Sequence, residues 1–280
     1  MKHLLLTAAA AVALSGCIIV DLDGEAYAQG GQGVVGGDLT LTLDEAGDFR
    51  LTGGDVEASG RVGGTLRAAA ADLRGRDLEL GALDANLADL RFDGAVERTV
   101  EINAADIRWR GPVGGDVSLN AADIDWSGDV EGAFRANMAD GRFAGRFAQM
   151  RINAADIQID EDAEISGRFY ANAAELDFRG EAGSLDAELR TARISGSIAG
   201  DLAIYADPGR APHGRDDGLV EITGAIVGGE ICSRRVVIEG QVSGPLAITA
   251  DAEPELSGDA AGADITYTPR DGRRCERPSQ

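Results

Sequence analysis

Histidine is almost missing from this chain: 280 residues contain two, His3 and His213. The most versatile acid–base and metal-binding side chain is therefore unavailable over nearly the whole length. No serine-nucleophile motif, phosphate loop or clustered metal-ligand spacing stands in for it. Aromatic residues make up 5% of the chain, against 39 glycines, which excludes an ordinary globular core built on large side chains. Bases are scarce: 26 Lys and Arg face 48 Asp and Glu, a formal charge of −22. A surface of that sign argues against nucleic acid and against anionic membrane surfaces as partners. The longest apolar run, Leu4 to Leu14, is too short to cross a bilayer as a helix. Helix signals are otherwise nearly absent.

What the chain has instead is a repeat. From Gly36 to Gly180 a column of acids recurs: Asp38, Asp55, Asp72, Asp89, Asp106, Asp123, Asp140, Asp156 and Glu175. The first six intervals are 17 residues, followed by one of 16 and one of 19. Fixed periods of this length are the mark of a solenoid. An apolar residue follows each acid (Leu73, Leu90, Ile107, Ile124, Ile157), with Gly141 the exception. Two residues further the column becomes aromatic in mid-array: Phe92, Trp109, Trp126 and Phe143. Ahead of the acid lie Val100 and Ile102, Val117 and Leu119, Phe134 and Ala136, and Met150 and Ile152.

Spacing of 2 within each arm is strand alternation. Between the arms, as from Ile102 to Ile107, the step is 5, an odd number, so the chain turns a corner there. That corner reads Asn-Ala-Ala-Asp at Asn103, Asn120 and Asn153, with Asn86, Asn137 and Asn172 in the same column. Gly64, Gly81, Gly115, Gly132 and Gly167 mark a second corner, where a missing Cβ lets the backbone bend. Two strands, an Asn corner and a Gly-rich return make one coil of a parallel β-helix. The fold expected is all-β, a single solenoid of 17 residues per coil, right-handed and three-sided. Coils stack about 4.8 Å apart, so the Asn amides form a ladder.

Residues 1–16 stand outside that fold. Lys2 precedes the short apolar run, as in a secretory leader. The run ends Leu14-Ser15-Gly16-Cys17, which resembles the lipobox of bacterial lipoproteins. The resemblance implies that Cys17 is lipidated and becomes the mature N-terminus. It also implies outer-membrane residence, because no aspartate follows the cysteine. Removing the leader takes away Lys2 and no acid, so the charge moves from −22 to −23. Lipidation of Cys17 leaves Cys232 and Cys275 as an even pair, which can oxidise outside the cytoplasm. Residues 17–31 read as a lipidated, Gly-rich tether.

Residues 32–268 read as the β-helix, with about ten coils to Ser195 and about three more over 219–268 at the 17-residue period. Beyond residue 184 the phase loosens, and Arg193 falls where the acid is due. The segment 208–218 interrupts the period as an inserted loop. Residues 269–280 form a basic tail, with Arg270, Arg273, Arg274 and Arg277, that either stays solvated or caps the last coil.

Carboxylates are the only abundant chemical groups. A pair of them can serve as general acid and base, as in polysaccharide-degrading β-helices. Here the acids form a regular column, and Asp72, Asp89, Asp106 and Asp140 are each followed two residues later by Arg. The expectation is structural: adjacent acid and Arg columns neutralise each other. Calcium would need several oxygens converging on one point, and one carboxylate and one amide per coil do not supply them. No cofactor is expected. His213, with Arg215, Asp216 and Asp217, is the one small cluster outside the repeat.

In period and composition the solenoid loosely resembles the bactofilins and the head domains of adhesin-like proteins. The resemblance implies an interaction surface or a polymer. The function expected is a non-enzymatic, lipid-anchored envelope protein, monomeric, whose acidic solenoid meets envelope glycans or basic proteins. A carbohydrate-active enzyme and an end-to-end polymerising scaffold are the alternatives.

Overall fold

The computed structural model describes residues 33–206, 217–275 and 277, together with the strands Ile19–Asp21 and Tyr27–Ala28. Its strands form one continuous parallel β-solenoid of about 13 turns with about 17 residues per turn. Each regular coil has three sides. The first holds strands such as Val100–Asn103 and Val117–Asn120, and the second holds Asp106–Arg110 and Asp123–Ser127. Equivalent residues stack in register along the axis: Val100 on Val117, then Phe134, Met150, Phe169, Leu185 and Leu202.

The Gly-rich return is a third side in its own right. Val96, Val113, Val130, Phe147, Ile165, Ala182, Ile198 and Ile226 stack one above another, all buried. A complete coil thus contributes five inward residues, for example Val113, Val117, Leu119, Ile124 and Trp126.

Stacking gives the core its order. Phe92, Trp109 and Trp126 lie face to face, with centroids 4.0 and 4.8 Å apart and planes within 11° and 1°. Trp126 then meets Phe134 edge-on at 5.1 Å, and Phe134 meets Phe147 at 5.3 Å, tying the three sides together. Buried indoles need a partner for their N–H. Trp109 donates to the carbonyl of Gly111 at 2.9 Å, and Trp126 to that of Gly128 at 3.0 Å. Gly141, the exception in its column, is matched by Met138: a Cβ on Gly141 would lie 2.5 Å from the Met138 sulfur. The long thioether fills the volume that an aliphatic residue takes in other coils.

The glycines of the second corner serve a different purpose from the one expected. Gly115 has no left-handed backbone; a Cβ there would sit 2.4 Å from the carbonyl oxygen of Arg98 in the preceding coil. Close approach between coils selects glycine at this corner. The left-handed backbone occurs elsewhere, in a column that includes Gly60, Asp77, Gly111 and Gly145.

Both ends depart from the repeat. Ile19–Asp21 pairs antiparallel with Leu39–Glu45, and Tyr27–Ala28 antiparallel with Gly33–Val35. The segment expected to be a tether therefore supplies two strands to the edge of the first coil. At the other end the short side is replaced by a 3₁₀ turn, Gly258–Gly262, with Ala260 buried. The last strand is Ile265–Pro269. Around residue 191 the phase differs from the sequence reading. Thr191 pairs in register with Glu175, and Arg193 stands two residues on, beside Asp177.

Candidate functional site

The Asn corner is a hydrogen-bonded ladder. Asn103 donates its side-chain amide to Asn86, Asn120 to Asn103, Asn137 to Asn120 and Asn153 to Asn137, at 3.2, 3.0, 2.9 and 2.8 Å. Asn172 stays in register with Asn153, but the amide-to-amide bonds end at Asn153. The alanines of the corner keep the backbone satisfied: Ala105 donates to Ala88, Ala122 to Ala105 and Ala139 to Ala122, each within 2.9 Å.

The acid column faces outward and is in register through Asp72, Asp89, Asp106, Asp123, Asp140, Asp156 and Glu175. Its members turn toward one another. A hydrogen bond with Asp89, reinforced by the like charges on either side, holds the Asp106 carboxyl above its ordinary value of 3.8. Asp140 is raised as well, first by lost hydration and then by Asp156.

The expected neutralisation by the neighbouring Arg column takes place once. Among the described residues Arg74 pairs with Asp72 at 3.7 Å, whereas Arg142 reaches Asp160 at 2.6 Å instead of Asp140. Several other arginines pair with an acid on an adjacent coil, as Arg67 does with Asp48, Arg76 with Glu57 and Arg146 with Asp129. These acids also accept backbone N–H groups: Thr65 donates to Asp48, Ala133 to Asp116 and Arg146 to Asp129, each at 2.9 Å. The carboxyls of Asp48 and Asp129 are accordingly held below the usual range, chiefly by the Thr65 N–H and by the Arg146 guanidinium respectively. Sequence reasoning passed over these acids, because its strongest column lay elsewhere.

One face of the second side gathers positive charge. Arg74, Arg91 and Arg108 stack on consecutive coils, with Asp125 next in the column. Beside them run Arg76, Asp93, Arg110 and Ser127. Together they line an open groove of about 500 Å³ over the buried Phe92 and Trp109.

The tail runs back along the outside of the solenoid. Cys275 is disulfide-bonded to Cys232, 43 residues upstream. Cys232 is in register with Thr249 and Thr268, so the bond reaches back past the two last coils. Before it, Arg270 is buried and bonds both carboxylate oxygens of Asp251, at 2.7 and 2.9 Å. Beyond it, Arg277 pairs with Asp186 and Glu188 and lies over the Tyr170 ring, 5.0 Å from its centroid. The tail is thus a lateral strap across several coils, rather than a cap beneath the final strand.

Cys17 lies outside the described residues, as do His213, Arg215 and Asp216 of the inserted segment. The end of that segment is placed: Asp217 is 8% exposed and pairs with Arg190 at 3.5 Å. Strands before and after keep register, Ala192 on Val220 and Ile194 on Ile222, so the break in the period falls at the corner that Asn occupies in earlier coils. Among the described residues no three His, Cys, Asp or Glu side chains are grouped to hold a metal ion. No family model, curated protein or solved structure matches the chain.

Proposed function

We propose that this chain is a non-enzymatic, lipid-anchored protein of a bacterial outer membrane, whose acidic solenoid serves as a structural or adhesive surface. The observation that carries the reading is the long solenoid of about 13 turns. Its acids are spent on the ladder, on diagonal ion pairs and on backbone N–H groups, instead of converging in a cleft. A glycosidase needs two carboxyls set apart across one substrate bond, with different environments. A ladder makes every carboxyl the equivalent of the next.

The anchor fits the geometry of the first coil. Ile19 follows Cys17 by two residues, and the strand Ile19–Asp21 is paired onto Leu39–Glu45. A lipid on Cys17 would hold that end of the rod close to the membrane and leave the opposite end projecting. Acyl chains contribute about 0.8 kcal/mol per buried CH₂, so several chains anchor firmly.

Membrane fractionation of Cys17→Ser is the test. The variant is expected to leave the membrane fraction, and recovery there unchanged would remove the anchor from the reading. A scaffold remains the second reading because of the far end. Leu256 is 37% exposed there, and Ile265–Pro269 pairs on one side only among the described strands. Such an edge is open to another strand. Light scattering that finds filaments in the oxidised protein would favour the scaffold.

A further inference from the structure

We propose that the groove over Arg74, Arg91 and Arg108 binds an extended glycan strand bearing uronate-type carboxylates, laid along the solenoid axis. The inference sharpens the adhesive reading by naming its partner, and rests on that reading for its biological setting.

The starting observation is an arginine column that stability does not call for. Like charges directly opposite on neighbouring strands are unfavourable. The parallel column avoids this by alternating, with Arg76, Asp93 and Arg110. Arg74, Arg91 and Arg108 do not alternate. The chain carries 48 acids to 26 bases, so a carboxylate partner is easy to supply. Pairing between adjacent coils supplies one to Arg67, Arg76, Arg135, Arg142 and Arg146. Arg91, Arg108 and Arg110 form no ion pair within 4.0 Å among the described residues, and all three are exposed. Asp125 adjoins Arg108 and Asp93 adjoins Arg110 in register on the neighbouring coil, yet neither closes such a pair.

The residues around them select the class of ligand. A guanidinium presents two parallel N–H groups, which match a carboxylate. Consecutive coils repeat that group about every 4.8 Å, so the natural partner is a chain with repeated carboxylates rather than one small anion. Asp93, Asp125 and Ser127 add acceptors in the same groove. These acceptors can take hydrogen bonds from the sugar hydroxyls that lie between the ligand's carboxylates. Single-stranded nucleic acid would need an accessible aromatic face, and Phe92 and Trp109 are 2% and 1% exposed. The rod's other acids do not forbid the approach, since at physiological salt charges beyond about 8 Å are largely screened. The groove's volume of about 500 Å³ lies within the range of roughly 300–1,000 Å³ common for ligand sites.

The test is calorimetric titration of the full, detergent-solubilised chain with oligogalacturonate, oligoglucuronate and oligomannuronate. The methyl ester of each and inorganic phosphate are titrated in parallel. At least one carboxylate form is expected to bind saturably, more weakly as salt rises, with its methyl ester at least tenfold weaker. Arg91→Ala combined with Arg108→Ala is expected to lose at least tenfold in affinity with an unchanged melting temperature. Arg135→Ala, on the first side, is expected to bind like the parent. Binding of none of the three uronates overturns the proposal. So does equal binding by the methyl ester or by the double variant, or binding of phosphate alone. Fractionation of Cys17→Ser reads the anchor separately, so a silent groove on a membrane-bound protein removes this inference and leaves the envelope reading standing.

Discussion

The coils between residues 83 and 178 and those after residue 217 are the same fold held together in two ways. The first set repeats its sequence, so identical side chains stack: Trp109 on Trp126, Asn103 on Asn120, Asp106 on Asp123. The second set has lost those columns. Its interior is aliphatic, with Ile222, Ile231, Ile238 and Ile248 buried and no aromatic ring stacked among them. There the corner column reads Cys232, Thr249 and Thr268 where asparagine stood. What replaces the ladder is the strap, one disulfide with Arg270 and Arg277 bonded to acids of earlier coils. A repeat protein is stabilised by contacts between neighbouring coils, so a region with weaker stacking needs a tie that skips over coils.

Six variants would break or sharpen that contrast. Trp126→Ala removes the ring that links the stack to Phe134 and is expected to cost about 3–5 kcal/mol, read by denaturant unfolding. A loss under about 1 kcal/mol would mean that the aromatic column is not what supports the regular coils. Replacing Cys232 and Cys275 together by Ser opens a loop of 43 residues. The expected loss is about 3–4 kcal/mol in the chain-entropy account. Because cooperativity can fail in a solenoid, the loss should appear regionally. Amide exchange is expected to accelerate at Leu246–Ala250 and to stay unchanged at Val117–Asn120. Uniform acceleration along the rod would dissolve the distinction between the two regions.

Asn120→Ala removes two amide-to-amide bonds on an exposed corner, where water can replace them. About 1 kcal/mol is expected. Asn172→Ala, beyond the last of those bonds, is expected to have nearly no effect, and equal losses would count against the ladder.

The smallest effect has a sign that discriminates. Asp106 has a folded-state pKa raised above the ordinary 3.8. Its stabilising contribution is therefore complete below that ordinary value and disappears as the pH rises through the raised one. Asp106→Asn is expected to raise the melting temperature slightly at pH 7 and to leave it unchanged at pH 3. Asp129 behaves oppositely: the Arg146 guanidinium lowers its pKa, so its contribution is present above the ordinary value and lost as the pH falls through the lowered one. Asp129→Asn is expected to lower the melting temperature at pH 7. If both variants shift in the same direction, the acids do not divide into a ladder and a set of ion pairs.

The period was legible because each coil packs against a near copy of itself. Selection for stacking in register leaves residues such as Trp109 and Trp126 one period apart. Three sides are legible, but the inward column of the short one is not, although Val96, Val113, Val130 and Phe147 keep that same spacing. One inward residue per side produces no alternation, and alternation is what marks a strand in a sequence. Arg partners were misread for a similar reason. Spacing along a strand puts Asp140 near Arg142, but the neighbouring coil brings Asp160 nearer.

The sequence by itself determined the all-β solenoid, its 17-residue coil, the inward columns on two sides and the Asn corner. These follow from local periodicity, which any stack of coils must satisfy. Only the tertiary structure decided where the two ends go and which charges meet. Pairing of Ile19–Asp21 with the first coil and the course of the tail from Cys275 to Tyr170 join residues far apart in sequence, with no period connecting them. The exposed arginine groove is likewise set by what neighbouring coils leave unpaired.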